Sequence, residues 1–113
     1  MRLALLLPSV GDDEYSWAYD GQRLKKWHNG STPYSNVRWC SGDVIGCALD
    51  LDIPGGEMRF FLNGRDLGVA FKGFNIGNGL SPAVSISSNQ ACQFIFDPAK
   101  MMVRPLPIAL PAL

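Results

Sequence analysis

The sequence predicts an all-β protein, folded as an antiparallel sandwich or barrel. Twelve glycines and eight prolines in 113 residues supply many turns, and short apolar or alternating runs lie between them. A chain of this length forms at most one domain with one modest core. Its composition, 47% hydrophobic and 18% charged, is that of a folded domain rather than of a disordered chain.

The first predicted elements form a hairpin. Aromatic and small residues alternate from Tyr15 to Tyr19, which is the period of a strand with one aromatic face. Asp20-Gly21 is a tight-turn pair, and Arg23 to Trp27 returns as the second strand. The next segment, His28 to Ser41, is rich in Asn, Gly, Ser, Thr and Pro. Its length predicts a loop with a functional role.

Three central strands follow. The nearly continuous apolar run from Val44 to Leu49 predicts a strand covered on both faces, in which Gly46 lets the facing sheet approach closely. Glu57 to Leu62 alternates, with Met58, Phe60 and Leu62 on one face. Asn63-Gly64 is the strongest two-residue hairpin signal, so Leu67 to Phe71 is predicted as the return strand.

Two more strands are predicted before the C-terminal segment. Leu80 to Ile86 alternates, with Leu80, Pro82, Val84 and Ile86 predicted to face inward. Cys92, Phe94 and Phe96 face one way along a predicted last strand. After Asp97-Pro98, three further prolines forbid a regular helix, and this segment is predicted to be an extended strap or a loose tail.

Charge and cysteine usage narrow the functional classes. Ten Lys and Arg balance ten Asp and Glu, so the chain lacks the cationic excess of nucleic-acid binders and polybasic membrane anchors. No run reaches the roughly 20 apolar residues of a spanning helix. The three cysteines, without a CxxC pair, suit neither a disulfide framework nor a zinc site, and Cys47 and Cys92 are predicted to be buried. Reduced thiols predict a cytoplasmic or nuclear location.

Motifs for catalysis are weak. The only histidine, His28, lies twelve residues before Cys40, and nothing in the sequence brings the two together as a hydrolase pair. Asp50 and Asp52 share one strand face but lack the pattern of a calcium loop. Gly77-Asn78-Gly79 lacks the Lys-Ser/Thr of a phosphate-binding loop. We therefore expect no enzyme, no cofactor, no metal and no small-molecule substrate.

The tryptophans leave one alternative function open. Trp17, Trp27 and Trp39 could present flat faces to sugars, as in a carbohydrate-binding sandwich. In a β-sandwich, however, large aromatic side chains usually pack in the core. We expect core positions for all three.

Four segments carry a resemblance to a known family. They are GDDEYSWAYDG at 11–21, GDVIGCALDLD at 42–52, FFLNGRDLGVAF at 60–71 and LSPAVSIS at 80–87. Their order and spacing resemble the second half of a SPRY (B30.2-type) domain. The pattern is most similar to SPRY domains embedded in very large RING- or HECT-type ubiquitin ligases and in ryanodine receptors. The resemblance covers Val10 to about Phe96 and implies a bent, concanavalin-like sandwich of two antiparallel sheets.

The resemblance also implies a function. SPRY domains grip a short segment of a partner protein without catalysis, here with the possible task of recruiting substrates to a ubiquitin ligase. In the family, loops at one edge of the sandwich hold the partner protein or peptide. The matching positions in this chain are Ser87, Ser88, Asn89 and Gln90, then Gly30, Ser31, Thr32 and Tyr34, and finally Tyr15.

The same resemblance predicts three parts of the chain. Residues 1–9 are a leader or a start outside the family pattern, 10–97 a partial SPRY domain, and 98–113 the Pro-rich strap or tail. The apolar block Leu3 to Leu7 is too short for a signal peptide, so a first strand is the alternative. Because the family's domain has several strands before its first matching segment, we expect missing strands, unpaired edges and an open apolar face.

Overall fold

The computed structural model describes residues 2–6, 16–74, 79–86 and 88–101. Within these residues the chain forms eight strands and one short 3₁₀ turn. The elements are β1 (Arg2–Leu6), β2 (Ser16–Asp20), β3 (Lys25–Trp27), β4 (Ser31–Pro33), β5 (Ile45–Asp50), β6 (Glu57–Leu62), β7 (Arg65–Lys72), β8 (Ser81–Ser85) and the 3₁₀ turn Pro98–Lys100.

The described strands form two antiparallel sheets. The larger sheet has the order β4-β3-β2-β1-β8, and the smaller has the order β5-β6-β7. β1 pairs with β2 on one side and with β8 on the other, so residues 2–6 lie inside the larger sheet. The predicted all-β antiparallel sandwich is confirmed.

A cluster of aromatic rings joins the two sheets. Tyr19 on β2 is fully buried, and its ring centroid lies 5.1 Å from that of Phe60 on β6. Tyr34 and Trp39 meet Tyr19 edge to face at 5.0 Å and 4.8 Å, the geometry that aromatic quadrupoles favour. The rest of the core consists of Trp17, Met58, Leu62 and Ala70. The predicted inner face of β6 is therefore confirmed.

The β6–β7 hairpin forms as predicted. Asn63 and Gly64 have φ angles of 51° and 84°, the left-handed values that a type I′ turn requires at both positions. Asn63 also fixes the start of β5, because its N–H donates to the Val44 carbonyl and its Oδ1 accepts from the Val44 N–H, both at 2.8 Å. The β2–β3 hairpin is likewise present, with Gly21 to Leu24 as its turn.

β5 differs from its prediction. Within the described residues it is an edge strand that pairs with β6 alone, and Cys47 and Ala48 are exposed rather than covered. An apolar run indicates a strand but does not show how many neighbours cover it. At Gly46, an added Cβ would lie 3.3 Å from the Cβ of Phe61. The close approach therefore comes from the neighbouring strand of the same sheet, not from the facing sheet.

The predicted last strand is also wrong. Residues 91–97 have no strand pairing, and Phe94 and Phe96 are 46% and 59% exposed with their rings stacked at 5.4 Å. Cys92 is exposed as well. Alternation defines a face, but a strand forms only where a neighbour supplies backbone hydrogen bonds. On β8 the prediction holds in part, because Pro82 and Ile86 are exposed while Leu80 packs against the core.

The segment predicted as one long loop, 28–41, is more ordered than expected. It contains β4, and it contributes the buried side chains of Tyr34 and Trp39 to the core. Trp17 and Trp39 occupy the predicted core positions, whereas Trp27 is half-buried with the Arg2 guanidinium 4.5 Å from its ring centroid. The tryptophans therefore do not form an open aromatic platform for a sugar.

Candidate partner-binding surface

The β3–β4 hairpin forms one corner of the larger sheet. Its turn uses Asn29 and Gly30, with φ angles of 50° and 119°, and the His28 N–H donates to the Gly30 carbonyl at 2.9 Å. At the base of the hairpin, the Tyr34 N–H donates to the Leu24 carbonyl at 2.8 Å. A short hairpin fixed at both ends presents its exposed residues in a defined arrangement.

A depression of about 270 Å³, which we call the hairpin pocket, lies between this hairpin and β7. Apolar atoms make up the larger part of its wall, and one aromatic ring forms the side contributed by the smaller sheet. The lining residues are Lys26, His28, Asn29, Gly30, Ser31, Thr32 and Phe71. The pocket therefore combines a cation, an imidazole, an amide and the Thr32 hydroxyl with one apolar surface.

Lys26 reaches from β3 across to β7. It lies opposite the buried Tyr19 in the sheet, so its side chain points toward the smaller sheet. Its Nζ donates to the Ala70 carbonyl and lies 5.4 Å and 5.7 Å from the ring centroids of Phe71 and Tyr34. The ammonium is thus held by one hydrogen bond and two cation–π contacts.

His28 is held at the mouth of the pocket. Its ring stacks on Trp17 with centroids 4.6 Å apart and an 11° angle between planes. Its Nδ1 lies 2.9 Å from the Ser16 carbonyl oxygen. Because a carbonyl only accepts, Nδ1 carries a proton and Nε2 is the remaining polar atom of the ring.

The predicted partner-binding residues lie in different places. Gly30, Ser31 and Thr32 are exposed and line the hairpin pocket. Tyr34 lies in the core, and its hydroxyl donates to the Gly68 carbonyl at 2.7 Å. Burial raises the pKa of Tyr34 to about 12, so the hydroxyl remains a donor at neutral pH. The role of Tyr34 in partner binding stays a prediction, and its side chain is buried rather than presented at the surface.

The second predicted group lies far from the first. Ser88, Asn89 and Gln90 are exposed in a turn that follows β8, whereas Ser87 and Tyr15 fall outside the described residues. β8 and β4 are opposite edges of the larger sheet. Across the sheet, β8 ends level with Asp20, the last residue of β2. The β3–β4 turn lies at the other end of the strands, toward the start of β2. The two groups therefore occupy diagonally opposite corners of this sheet.

Four of the seven lining residues were not among the predicted binding residues, and two of the four, Lys26 and Phe71, also lie outside the predicted functional loop 28–41. Lys26 and Phe71 come from different sheets, and the hairpin pocket exists only because the sandwich brings them together. Lys26 could have been placed on the pocket face only from its pairing opposite the buried Tyr19 in the sheet. That pairing depends on a four-residue turn whose length is not evident from the sequence pattern.

Other chemistry has little support in the described part of the chain. His28 contacts Ser16 and Trp17, while the Cys40 N–H donates to Asp43 at 2.6 Å, so the two sit in separate surroundings. Across the same residues, no three His, Cys, Asp or Glu side chains are close enough to share a metal ion. Nor does that part include a helix with the length and apolarity to span a membrane.

The fold and this surface define a class of protein. A two-sheet antiparallel sandwich with a pocket of mixed polar and apolar lining at a hairpin corner is a scaffold suited to binding. The sequence matches the SPRY domain family over residues 3–99. The chain therefore belongs to the SPRY family, whose domains are protein-interaction modules and generally non-catalytic.

Similar proteins are much longer than this chain. It is 42% identical over 90 residues to an E3 ubiquitin-protein ligase, RKP, of Arabidopsis thaliana, a match that covers 77% of this chain and 7% of that protein. It is 41% identical over 64 residues to the human heterogeneous nuclear ribonucleoprotein U-like protein 2, covering 57% of this chain and 8% of that protein. The chain thus spans less than a tenth of these curated relatives.

Proposed function

We propose that this SPRY domain binds a short segment of a partner protein at the hairpin pocket and catalyses no reaction itself. The observation that carries the proposal is the pocket's composition: fixed donors and a held imidazole beside one aromatic ring. A groove of this kind can grip a peptide by its polar groups and one apolar side chain.

The preorganisation of the pocket supports the proposal. Lys26 is held by the Ala70 carbonyl and by two rings, and His28 by Ser16 and Trp17. Side chains that are already ordered lose little entropy when a partner binds. A bound segment would therefore keep most of the free energy of its contacts with these residues.

We further propose that the bound segment belongs to a protein destined for ubiquitination. The support is the 42% identity to a plant protein named as an E3 ubiquitin-protein ligase. In a chain of that kind, a domain that binds without catalysis would bring substrates to the catalytic part. This proposal concerns the longer protein in which such a domain acts.

A matched pair of variants tests the proposed binding site. Thr32→Tyr adds a ring at the hairpin pocket on edge strand β4, on the face of Lys26, and Ser81→Tyr adds the same ring on β8, the opposite edge strand of the same sheet. Both residues are exposed, and tyrosine is well accepted in strands. Proteins captured from cell extract by the wild type should be lost with Thr32→Tyr and retained with Ser81→Tyr, as quantified by mass spectrometry.

Two results would contradict the proposal. One is a set of captured proteins that is the same for the two variants, which would place binding elsewhere. The other is a change in a catalytic rate, rather than in capture, when the pocket is blocked. A glycan array serves as a further control, since selective sugar binding would favour the carbohydrate-binding alternative.

A further inference from the structure

The hairpin pocket holds a cation, Lys26, that pairs with no carboxylate among the described residues. None of its seven lining residues is an aspartate or glutamate. The ion pairs found in the described residues involve Arg2, Arg23 and Arg59, and Lys26 takes part in none of them. Its contacts with the Ala70 carbonyl and two aromatic rings leave the positive charge unneutralised, so the ammonium can attract a bound anion.

The ammonium has donors available for a ligand. Lys26 has three N–H groups, and one donates to the Ala70 carbonyl. Thr32 lies directly opposite Lys26 on β4, so its side chain lies on the same face. The Thr32 hydroxyl adds a donor to the lining. The pocket therefore offers several donors around one positive charge.

The amount of charge indicates the kind of anion. A carboxylate carries one negative charge, which a single lysine can match. A phosphate group carries nearly two at neutral pH and is typically bound by several cations. Lys26 is the only lysine or arginine in the lining, and Phe71 fills one side with an apolar surface. A single carboxylate on a short aliphatic stem fits this arrangement better than a phosphate.

We propose that the hairpin pocket binds the carboxylate of an aspartate or glutamate side chain in the partner segment. The ammonium of Lys26 pairs with the carboxylate, the hydroxyl of Thr32 donates to it, and the Phe71 ring packs against the stem. This assignment rests on the proposed function, because it names the residue type that the same pocket selects.

The test uses small probes, so it does not require a known partner. N-acetyl-aspartate-N′-methylamide and the asparagine analogue are each titrated into the ¹⁵N-labelled chain while amide signals are followed. We expect saturable shifts at Gly30 to Thr32 with the aspartate probe, with a dissociation constant on the order of 1 mM. The asparagine probe should bind at least about tenfold more weakly. Equal shifts with the two probes, or none with either, would overturn the proposal.

Two neighbouring lysines provide the matched variants. Lys26→Met keeps the aliphatic stem and removes the ammonium in the pocket, and Lys25→Met removes the same charge one residue earlier, on the opposite face of β3. We expect Lys26→Met to bind the aspartate probe at least about tenfold more weakly, with Lys25→Met within about twofold of wild type. Equal losses in both variants would assign the effect to net charge and contradict the site.

Two further comparisons separate the alternatives. Tighter binding of a phosphoserine analogue than of the aspartate probe would overturn the carboxylate assignment in favour of a phosphopeptide. Protein capture that depends on Thr32 while the two probes bind equally would leave the proposed function standing and reject this inference. Selective aspartate binding without any selective protein capture would reject the proposed function, and with it the assignment of the carboxylate to a partner segment.

Discussion

At the scale of single residues, Gly21 shows how closely the core is packed. An added Cβ at this position would lie 2.1 Å from Cδ2 of the Trp39 ring, far inside van der Waals contact. Trp39 in turn packs edge to face on Tyr19. The glycine is therefore required by the indole that covers it rather than by a turn conformation.

Gly21→Ala should destabilise the fold by roughly 2–3 kcal/mol, because the Trp39 ring must leave its place against Tyr19. Urea unfolding followed by tryptophan fluorescence measures this change. Gly46→Ala is the matched comparison, since its added Cβ meets only the Phe61 side chain, with the Phe61 Cβ nearest at 3.3 Å, and restricts the unfolded chain. It should change stability by less than about 1 kcal/mol. Equal effects at the two positions would refute this explanation.

Two buried tyrosines differ in one hydrogen bond. The Tyr34 hydroxyl donates to the Gly68 carbonyl, whereas the Tyr19 hydroxyl has no hydrogen-bond partner among the described residues. Tyr34→Phe should therefore cost about 1 kcal/mol of unfolding free energy, and Tyr19→Phe should be neutral or stabilising. Chemical denaturation of both variants gives the comparison. A larger loss for Tyr19→Phe would show that its hydroxyl is hydrogen-bonded in solution.

At the scale of elements, Asp43 connects the start of β5 to the β6–β7 hairpin. Its Oδ1 accepts from the Asn63 side-chain amide at 2.9 Å, and its Oδ2 accepts from the Cys40 N–H at 2.6 Å. These two hydrogen bonds, the Asn63 bond foremost, lower the pKa of Asp43 below its ordinary value of 3.8. The Asp43 carboxylate thus connects both the loop at Cys40 and the β6–β7 hairpin to the start of β5.

This connection should weaken in acid. Because the pKa of Asp43 is lower in the folded chain than the ordinary 3.8, its stabilisation is present above that value and is lost as pH falls through the folded value. The melting temperature of Asp43→Asn should be below wild type near pH 5 and should fall less on acidification to about pH 2.5.

Asp52→Asn is the control for this pH test, since it removes a carboxylate from the exposed turn after β5. We expect its acid dependence to follow that of the wild type. If Asp43→Asn loses as much stability in acid as the wild type does, Asp43 is not the group responsible.

The two edge strands of the smaller sheet, β5 and β7, differ in whether side chains bond to their outer backbone groups. On β7, the Gly68 and Ala70 carbonyls accept hydrogen bonds from Tyr34 and Lys26 of the opposite layer. Side chains from the larger sheet thus occupy backbone groups that an edge strand would otherwise offer to another chain. Among the described residues, no such contact covers β5, whose interior from Ile45 to Leu49 carries no charge.

The elements that were predicted correctly are those whose structure is determined by residues close together in the sequence. The Asn63-Gly64 turn fixes its own hairpin, and alternation along β6 follows directly from one buried face. The covered β5 and the strand at 91–96 failed because both depend on neighbours elsewhere in the chain. An apolar or alternating pattern is compatible with a central strand, an edge strand or an unpaired extended segment, and only the pairing distinguishes them.

At the scale of the whole molecule, the candidate site could be predicted only in part. The family resemblance led to Gly30, Ser31 and Thr32, which are neighbours along the chain and remain neighbours in the pocket. Lys26 and Phe71 meet them only through the packing of one sheet on the other. A sequence pattern does not show which residues of the two sheets meet. The positive charge of Lys26 and the apolar side formed by Phe71 could therefore be assigned to the pocket only from the structure.

The most direct test of the central claim is hydrogen–deuterium exchange of the chain with and without a partner protein that the wild type captures and the Thr32→Tyr variant does not. We predict slower exchange at the amides of 25–32 and of β7 near Phe71, with Ser81 to Ser85 unchanged. Protection confined to the turn at 88–90 or to β5, with the β3–β4 hairpin unaffected, would contradict the account and place the partner at another corner of the sandwich.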